Sequence, residues 1–325
     1  MRPWAACRHP RQRVFPLSIF VQQLVNGLIL GSIYALIALG YTMVYGILGL
    51  INFAHGEIVM IGAMVTITIL NLLIGAGVHL PGFALVAVSL ILAVPVCALL
   101  GYSIERIAYR PLRSAPRLAP LITAIGVSIV LQNAAMIIWG REYVPFPSIL
   151  PNTPFTLAGA AITPVQVVIV IVAFTMMAGL LLLVHRTRLG RAMRATAQSP
   201  DVAALMGVNV NSVISATFIL GSCLGATAGV MVSANYGQAH AYMGFLLGLK
   251  AFSAAVLGGI GNLAGAVVGG LLLGLIESLG AGYIGDLTHG FLGSQYQDVF
   301  AFLVLILVLV FRPSGLLGER VAERP

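Results

Sequence analysis

The sequence predicts an all-α protein, a polytopic helical membrane bundle of about eight transmembrane spans with broken or re-entrant segments. Three observations predict it. Of 325 residues 59% are apolar and only 8% charged, with a mean hydropathy of +1.03, whereas soluble domains hold about 45–50% apolar and about 25% charged residues. Apolar runs recur at lengths near the roughly 20 residues that a membrane-spanning helix needs. Fifteen of the seventeen basic residues fall into four short clusters, Arg2–Arg13, Arg106–Arg117, Arg186–Arg194 and Arg312–Arg324, separated by nearly uncharged chain. These features exclude an ordinary soluble enzyme and a disordered chain. Separate arginine groups are also unlike the continuous basic, aromatic-bearing surface that binds nucleic acid, so no nucleic-acid partner is expected. Runs without period-2 alternation exclude an outer-membrane barrel.

The runs place the spans in order at Phe20–Val44, Gly56–Ile74, Ala84–Tyr102, Leu118–Trp139, Pro164–Val184 and Val213–Ser233. The stretch Gly244–Leu279 is too long for one helix and is interrupted at Gly258–Asn262; a last span runs from about Val299 to Phe311, starting near Tyr296. Buried in lipid, each must satisfy its backbone internally, so each is read as helix. The second, third and fourth basic clusters are read as cytoplasmic, because cytoplasmic loops carry excess Lys and Arg. Crossings between the second, third and fourth clusters are then even in number, and the proline-rich turn 140–163 lies outside. The first half fits less simply. Three full spans before Arg106 put the N-terminus outside, against the pull of Arg2, Arg8, Arg11 and Arg13. Either the segment Asn52–Ile74 is partly re-entrant or those arginines do not set orientation; an external N-terminus is the reading adopted. Residues 1–16 are taken as a basic extension without a signal-peptide pattern, residues 17–318 as the membrane domain with a cytoplasmic loop at about 185–211, and residues 319–325 as a tail. Cys7, Cys97 and Cys223 are odd in number and scattered, so they suggest small core residues and neither a disulfide framework nor a zinc site.

Thirty-seven glycines, many four residues apart, predict close helix contacts. Gly46 and Gly49 in one half and Gly258–Gly261 in the other instead interrupt apolar segments, and paired interruptions mark a substrate path because unwound backbone lines a cavity. Ionisable groups at membrane depth are costly unless paired or facing water. Asn52, His55, Glu57, Lys250, Asn262 and Glu277 are therefore the candidate pathway residues. Each has a plainer reading beside it: Asn52 caps the second span with Glu57 in its first turn, and Lys250 snorkels to the interface or pairs with Glu277. Tyr34, Tyr41 and Tyr45 are packing residues or interface anchors. No second cluster completes a metal shell around His55 and Glu57, no nucleophile–base set is present, and no G-x-x-x-x-G-K-[ST] occurs. The expectation is a chain that is not an enzyme and binds no cofactor or metal.

The loop from His185 to Asn211 is too long for a plain connector. Pro200–Met206 reads as a short amphipathic helix stopped by Gly207, able to lie on lipid headgroups or to dock in a groove of another protein.

Six segments in order carry a resemblance: Gln23-Leu24-Val25-Asn26-Gly27 to Gly40; Asn52-Phe53-Ala54-His55-Gly56-Glu57; Ser103 to Arg113; the Gly190–Asn209 loop; Lys250-Ala251-Phe252 with Ala255 to Gly261; and Arg312-Pro313-Ser314-Gly315. Together, from about residue 20 to 318, they resemble the LivH-type permease of branched-chain amino acid ABC importers. The resemblance implies a multi-pass subunit of the bacterial inner membrane, in contact with membrane lipid. Its implied partners are a related second permease (LivM-like), two cytoplasmic ABC ATPases that bind the ATP and magnesium, and a periplasmic substrate-binding protein. The loop matches the family's ATPase contact region, which implies coupling roles for Gly190, Arg191, Arg194, Ala203, Leu205 and Gly207. Two departures stand out: Gln198 and Ser199 occupy positions that are often acidic in the family, and residues 1–16 have no clear counterpart. Urea, amide and other amino-acid importers share the family. An ion-coupled carrier using Glu57, Lys250 and Glu277 is the rival of another class.

Overall fold

The computed structural model describes residues 17–113, 115–116, 118–157, 159–288 and 296–318. Helices dominate as expected, because long apolar runs can close every backbone hydrogen bond within themselves. In chain order they are α1 (Leu17–Leu48), α2 (His55–Gly75), α3 (Gly82–Ile104), α4 (Leu118–Trp139), α5 (Pro164–Arg186), α6 (Arg188–Gln198), α7 (Pro200–Leu205), α8 (Val210–Tyr236), α9 (Met243–Gly258), α10 (Leu263–Leu287) and α11 (Gln297–Phe311). Seven of these are long and apolar enough to cross a membrane, and α9 and α11 are shorter apolar helices. The break expected at Gly258–Asn262 separates α9 from α10, where Gly259 and Gly261 take left-handed φ values of +109° and +94°. Among the described residues four short strands form two antiparallel pairs: β1 (Val144–Pro145) with β4 (Gln238–Ala239), and β2 (Phe155–Leu157) with β3 (Ala160–Ile162).

Burial sorts the helices into layers. In their most apolar windows α1 is 89% and α8 72% buried, against 17–28% for α3, α4 and α5, so α1 and α8 form the centre and the others a jacket presented to lipid or to partners. Small residues allow the close packing: a β-carbon at Gly274 would stand 2.2 Å from the Gly31 amide nitrogen of α1.

The two halves of the chain repeat one arrangement in opposite directions. Each starts with a central helix (α1, α8), turns back through a short non-helical segment (49–54, 237–242), continues in a helix (α2, α9) and packs its third helix against the other half's first, as α10 on α1 and α3 on α8. Inverted repeats of this kind characterise transporters. The structure corrects the expected pairing of interruptions. The counterpart of 49–54 is 237–242, while the Gly258–Gly261 break corresponds to the ordinary turn between α2 and α3.

The cytoplasmic loop holds two helices where one was expected. Thr187, Ser199 and Asn209 accept side-chain hydrogen bonds from Gly190, Val202 and Ser212 amides and so cap α6, α7 and α8 in turn. This arm packs by Gly190, Met193 and Thr196 against the ends of α5 and α1. Arg113 and Arg312 lie on the same face, which the positive-inside rule assigns to the cytoplasm. The start of α1 lies opposite, where Gln22 bonds Ala161 of the β2–β3 hairpin. The start of α1 thus stands on the face opposite Arg113 and Arg312, in keeping with the external reading adopted above, and 49–54 folds back into the bundle before α2. Residues 1–16 and 319–325, with Cys7, lie outside the described residues; Cys97 and Cys223 are free thiols.

Candidate functional site

The two turned-back segments bring the starts of α2 and α9 together at mid-depth. His55 packs on Gly40, whose β-carbon would stand 2.2 Å from His55 Nε2. Since Gly40 lies eight residues before the end of α1, α2 starts about 12 Å inside that end at a 1.5 Å rise per residue. Gly56 then meets α9 backbone to backbone, because its β-carbon would stand 2.3 Å from the Gly244 carbonyl oxygen and 2.9 Å from Gly248 Cα. With 16 residues, α9 measures about 24 Å, short of the roughly 30 Å hydrocarbon layer.

Around this crossing the polar groups are buried. Glu57, fully buried, accepts hydrogen bonds from Ser128 Oγ (3.0 Å) and Gln132 Nε2 (2.7 Å) of α4 through one oxygen, while the other has no partner. His55 Nε2 and Thr42 Oγ1 are likewise unpartnered. The expected cap is modified: Ala54 is the N-cap residue, and Asn52 Oδ1 accepts from the Ala54 amide (3.1 Å) and from Tyr109 Oη (3.0 Å). Toward the cytoplasmic side Tyr41 and Phe53 each pack against Phe252, with ring centroids 6.3 and 5.9 Å apart. Tyr41 and Phe252 line, with Tyr45, Ile51 and Ile260, a void of about 10 Å³, about the space of one water.

A second cluster ties α9 to its neighbours. Lys250 Nζ lies 2.8 Å from Glu277 Oε1 of α10 and 2.7 Å from Asp298 Oδ1 of α11, and Tyr34 of α1 donates to Glu277 Oε1 at 3.2 Å. Lys250 therefore does not snorkel; it braces four helices. Asp298 escaped the sequence reading, although a lone carboxylate opening an apolar run is a legible signal. Ser128, Gln132 and Tyr109 carried no such signal, because their partners lie more than fifty residues away. Asn262 sits apart from both clusters, using its side chain to cap α10 at Gly265 and to hold the Leu317 carbonyl.

The six arm candidates divide. Gly190 and Ala203 are buried, and Gly190 lets α6 approach α5, since its β-carbon would stand 2.2 Å from the Val184 carbonyl oxygen. Arg191, Arg194, Leu205 and Gly207 are exposed, and Leu205 with Met206 forms an apolar tip, 87% and 80% exposed. Gly207 ends α7 at φ +83°. A cavity of about 100 Å³ separates Met193 and Arg194 from Gly46 and Gly261. Within the turned-back segment 237–242, His240 packs edge-on against Tyr143. Among the described residues no group of three or more His, Cys, Asp or Glu could hold a metal.

Inverted halves, interrupted helices meeting at mid-membrane and a structured arm on one face define a multi-pass membrane transport protein. The comparisons agree. Residues 23–309 match the family described as branched-chain amino acid transport system / permease component, and the chain belongs to that family. It is 50% identical to the high-affinity branched-chain amino acid transport system permease protein BraD of Pseudomonas aeruginosa, over 94% of this chain and 98% of that one. Against LivH of Escherichia coli, described in the same words, identity is 46% over 94% and 97%. The chain is thus a transport permease subunit.

Proposed function

We propose that this chain is the permease subunit of an ATP-driven importer for leucine, isoleucine and valine in a bacterial inner membrane, forming half of the translocation path. The proposed assembly adds a second permease, two cytoplasmic ATPases carrying ATP and magnesium, and a periplasmic binding protein. The observation that carries the path is the glycine-to-glycine crossing of α2 and α9 at mid-depth. Such a crossing leaves little side-chain bulk to displace when the halves rock, and irregular backbone beside it can line a cavity. The unpartnered oxygen of Glu57 borders the crossing, 2.6 Å from where a Gly244 β-carbon would be, and offers an acceptor to a passing ammonium group. The arm, with its apolar tip at Leu205 and Met206, is the surface that the ATPases grip. Asn262 acts here through the α9–α10 turn, not by facing solute. The carrier alternative fits less well, because Lys250 already neutralises much of the charge on Glu277 and Asp298.

The reading is tested with the complete assembly in proteoliposomes and labelled leucine, isoleucine, valine and urea. Uptake of the three amino acids, dependent on ATP and binding protein, is expected; preferential uptake of urea overturns the substrate assignment. Replacing Arg191 by Ala and Gly207 by Val tests the arm. A side chain at φ +83° costs about 1–3 kcal/mol, which distorts the tip without touching the bundle. Membrane insertion should be unchanged while solute-stimulated ATP hydrolysis falls roughly tenfold, within the range of a coupling energy between sites. Normal stimulation in this double variant contradicts the coupling role.

A further inference from the structure

One short segment joins the arm to the start of α2. Beyond α3 the chain continues through a π turn, Glu105–Tyr109, and a 3-10 turn, Arg110–Leu112. Glu105 is fully buried and is clasped from two sides: Ser215 Oγ of α8 donates to Oε2 at 2.6 Å, and Arg113 pairs with Oε1. Arg113 also donates to Asn211 Oδ1 of α8 at 2.7 Å. Both ends of the segment are thus fixed to the first two turns of α8. That part of α8 follows the arm after only four residues, and the Val208 amide bonds the Ala203 carbonyl across the junction. Between the two clasps, Tyr109 is 2% exposed, rests its ring on Phe218 (5.3 Å) and donates its hydroxyl to Asn52. Asn52 in turn holds the Ala54 amide, and its carbonyl accepts from the His55 amide, at the start of α2.

We propose that the Glu105–Tyr109 turn is the positioning element that transmits movement of the arm to the α2–α9 crossing. A π turn carries an extra residue and recurs at functional sites. Its conversion to α-helical register rotates the following residues by about 100° relative to Glu105. Displacing the start of α8 shifts both clasps together, and Tyr109 swings off Asn52, freeing the turn that sets the depth of α2. The support is one element bonded both to the start of α8 and to the turn before α2, whose π register has an α-helical alternative. The inference rests on the functional reading above, since it presumes an ATPase-driven arm.

The test uses the complete assembly with Tyr109→Phe, which keeps the ring and removes one hydroxyl, and with Glu105→Gln as a second variant. ATP hydrolysed per solute imported should rise roughly fivefold or more in each, the lower range for coupling between sites. Thermal stability of the Tyr109→Phe assembly should stay within a few degrees of wild type, while Glu105→Gln, which leaves Arg113 without its buried carboxylate, should melt lower. In the ratio of ATP to solute the double variant should be no worse than the stronger single. A Y109F assembly that matches wild type in this ratio overturns the relay. So does a variant that loses folded protein while the survivors keep the wild-type ratio, which is the mark of a merely structural bond. A wild-type assembly that imports no branched-chain amino acid overturns the functional reading instead, whatever residue stands at 109.

Discussion

Replacing Lys250 by Met is expected to cost about 3–5 kcal/mol, the penalty for breaking a buried ion pair by removing one partner. The loss follows from what remains. Glu277, with a side chain only 2% exposed, keeps an oxygen without a hydrogen-bond partner, and Asp298 stands beside it with no cation between them. Since α1, α9, α10 and α11 all meet at this point, the damage spreads across the second half of the fold. Melting of the purified protein in detergent measures it. The sign is checked by relief: Lys250→Met combined with Glu277→Gln and Asp298→Asn should recover most of the lost stability, because the isolated charges are gone. Glu277→Gln should weaken the fold more than Asp298→Asn, whose side chain is 38% exposed and can reach water. A Lys250→Met protein as stable as wild type removes the brace from the account.

The Gly56→Ala variant should nearly abolish transport. Its new methyl group meets backbone on α9 at 2.3 and 2.9 Å, and backbone cannot move aside as a flexible side chain can. Overpacking of this kind costs about 1–3 kcal/mol, and here it acts on the contact proposed to open and close, so a roughly tenfold or greater fall in uptake is expected. Gly46→Ala is the matched control, with nearest neighbours at 3.7 and 3.9 Å, and should transport normally. Equal uptake by both variants places the moving contact elsewhere.

Much of the fold was legible because membrane burial writes itself locally. Continuous apolar runs gave the spans, and the glycine-rich run Gly258–Asn262 gave the α9–α10 break. The site was legible only in part. Asn52, His55 and Glu57 stood out as polar groups in oily surroundings, and Lys250 as the one lysine. That 237–242 turns back into the bundle could not be read, since Gln238, Ala239, His240 and Ala241 are equally suited to a surface loop. Its depth is set by contacts remote in sequence, Gly244 on Gly56 and Phe146 on Gly237. Gly46 was misjudged as an interruption: α1 runs through it to Leu48, and the chain leaves the helix only at Gly49, with φ +63°, because a glycine permits a break without requiring one.

The account depends most on the bundle being driven from its cytoplasmic arm and having no driving force of its own. The direct measurement is solute accumulation in liposomes that contain the chain with its second permease and binding protein, with and without the ATPases and ATP. Accumulation of labelled leucine against its gradient is expected only when the ATPases and ATP are both present. Uphill accumulation by the permease chains without them would contradict it.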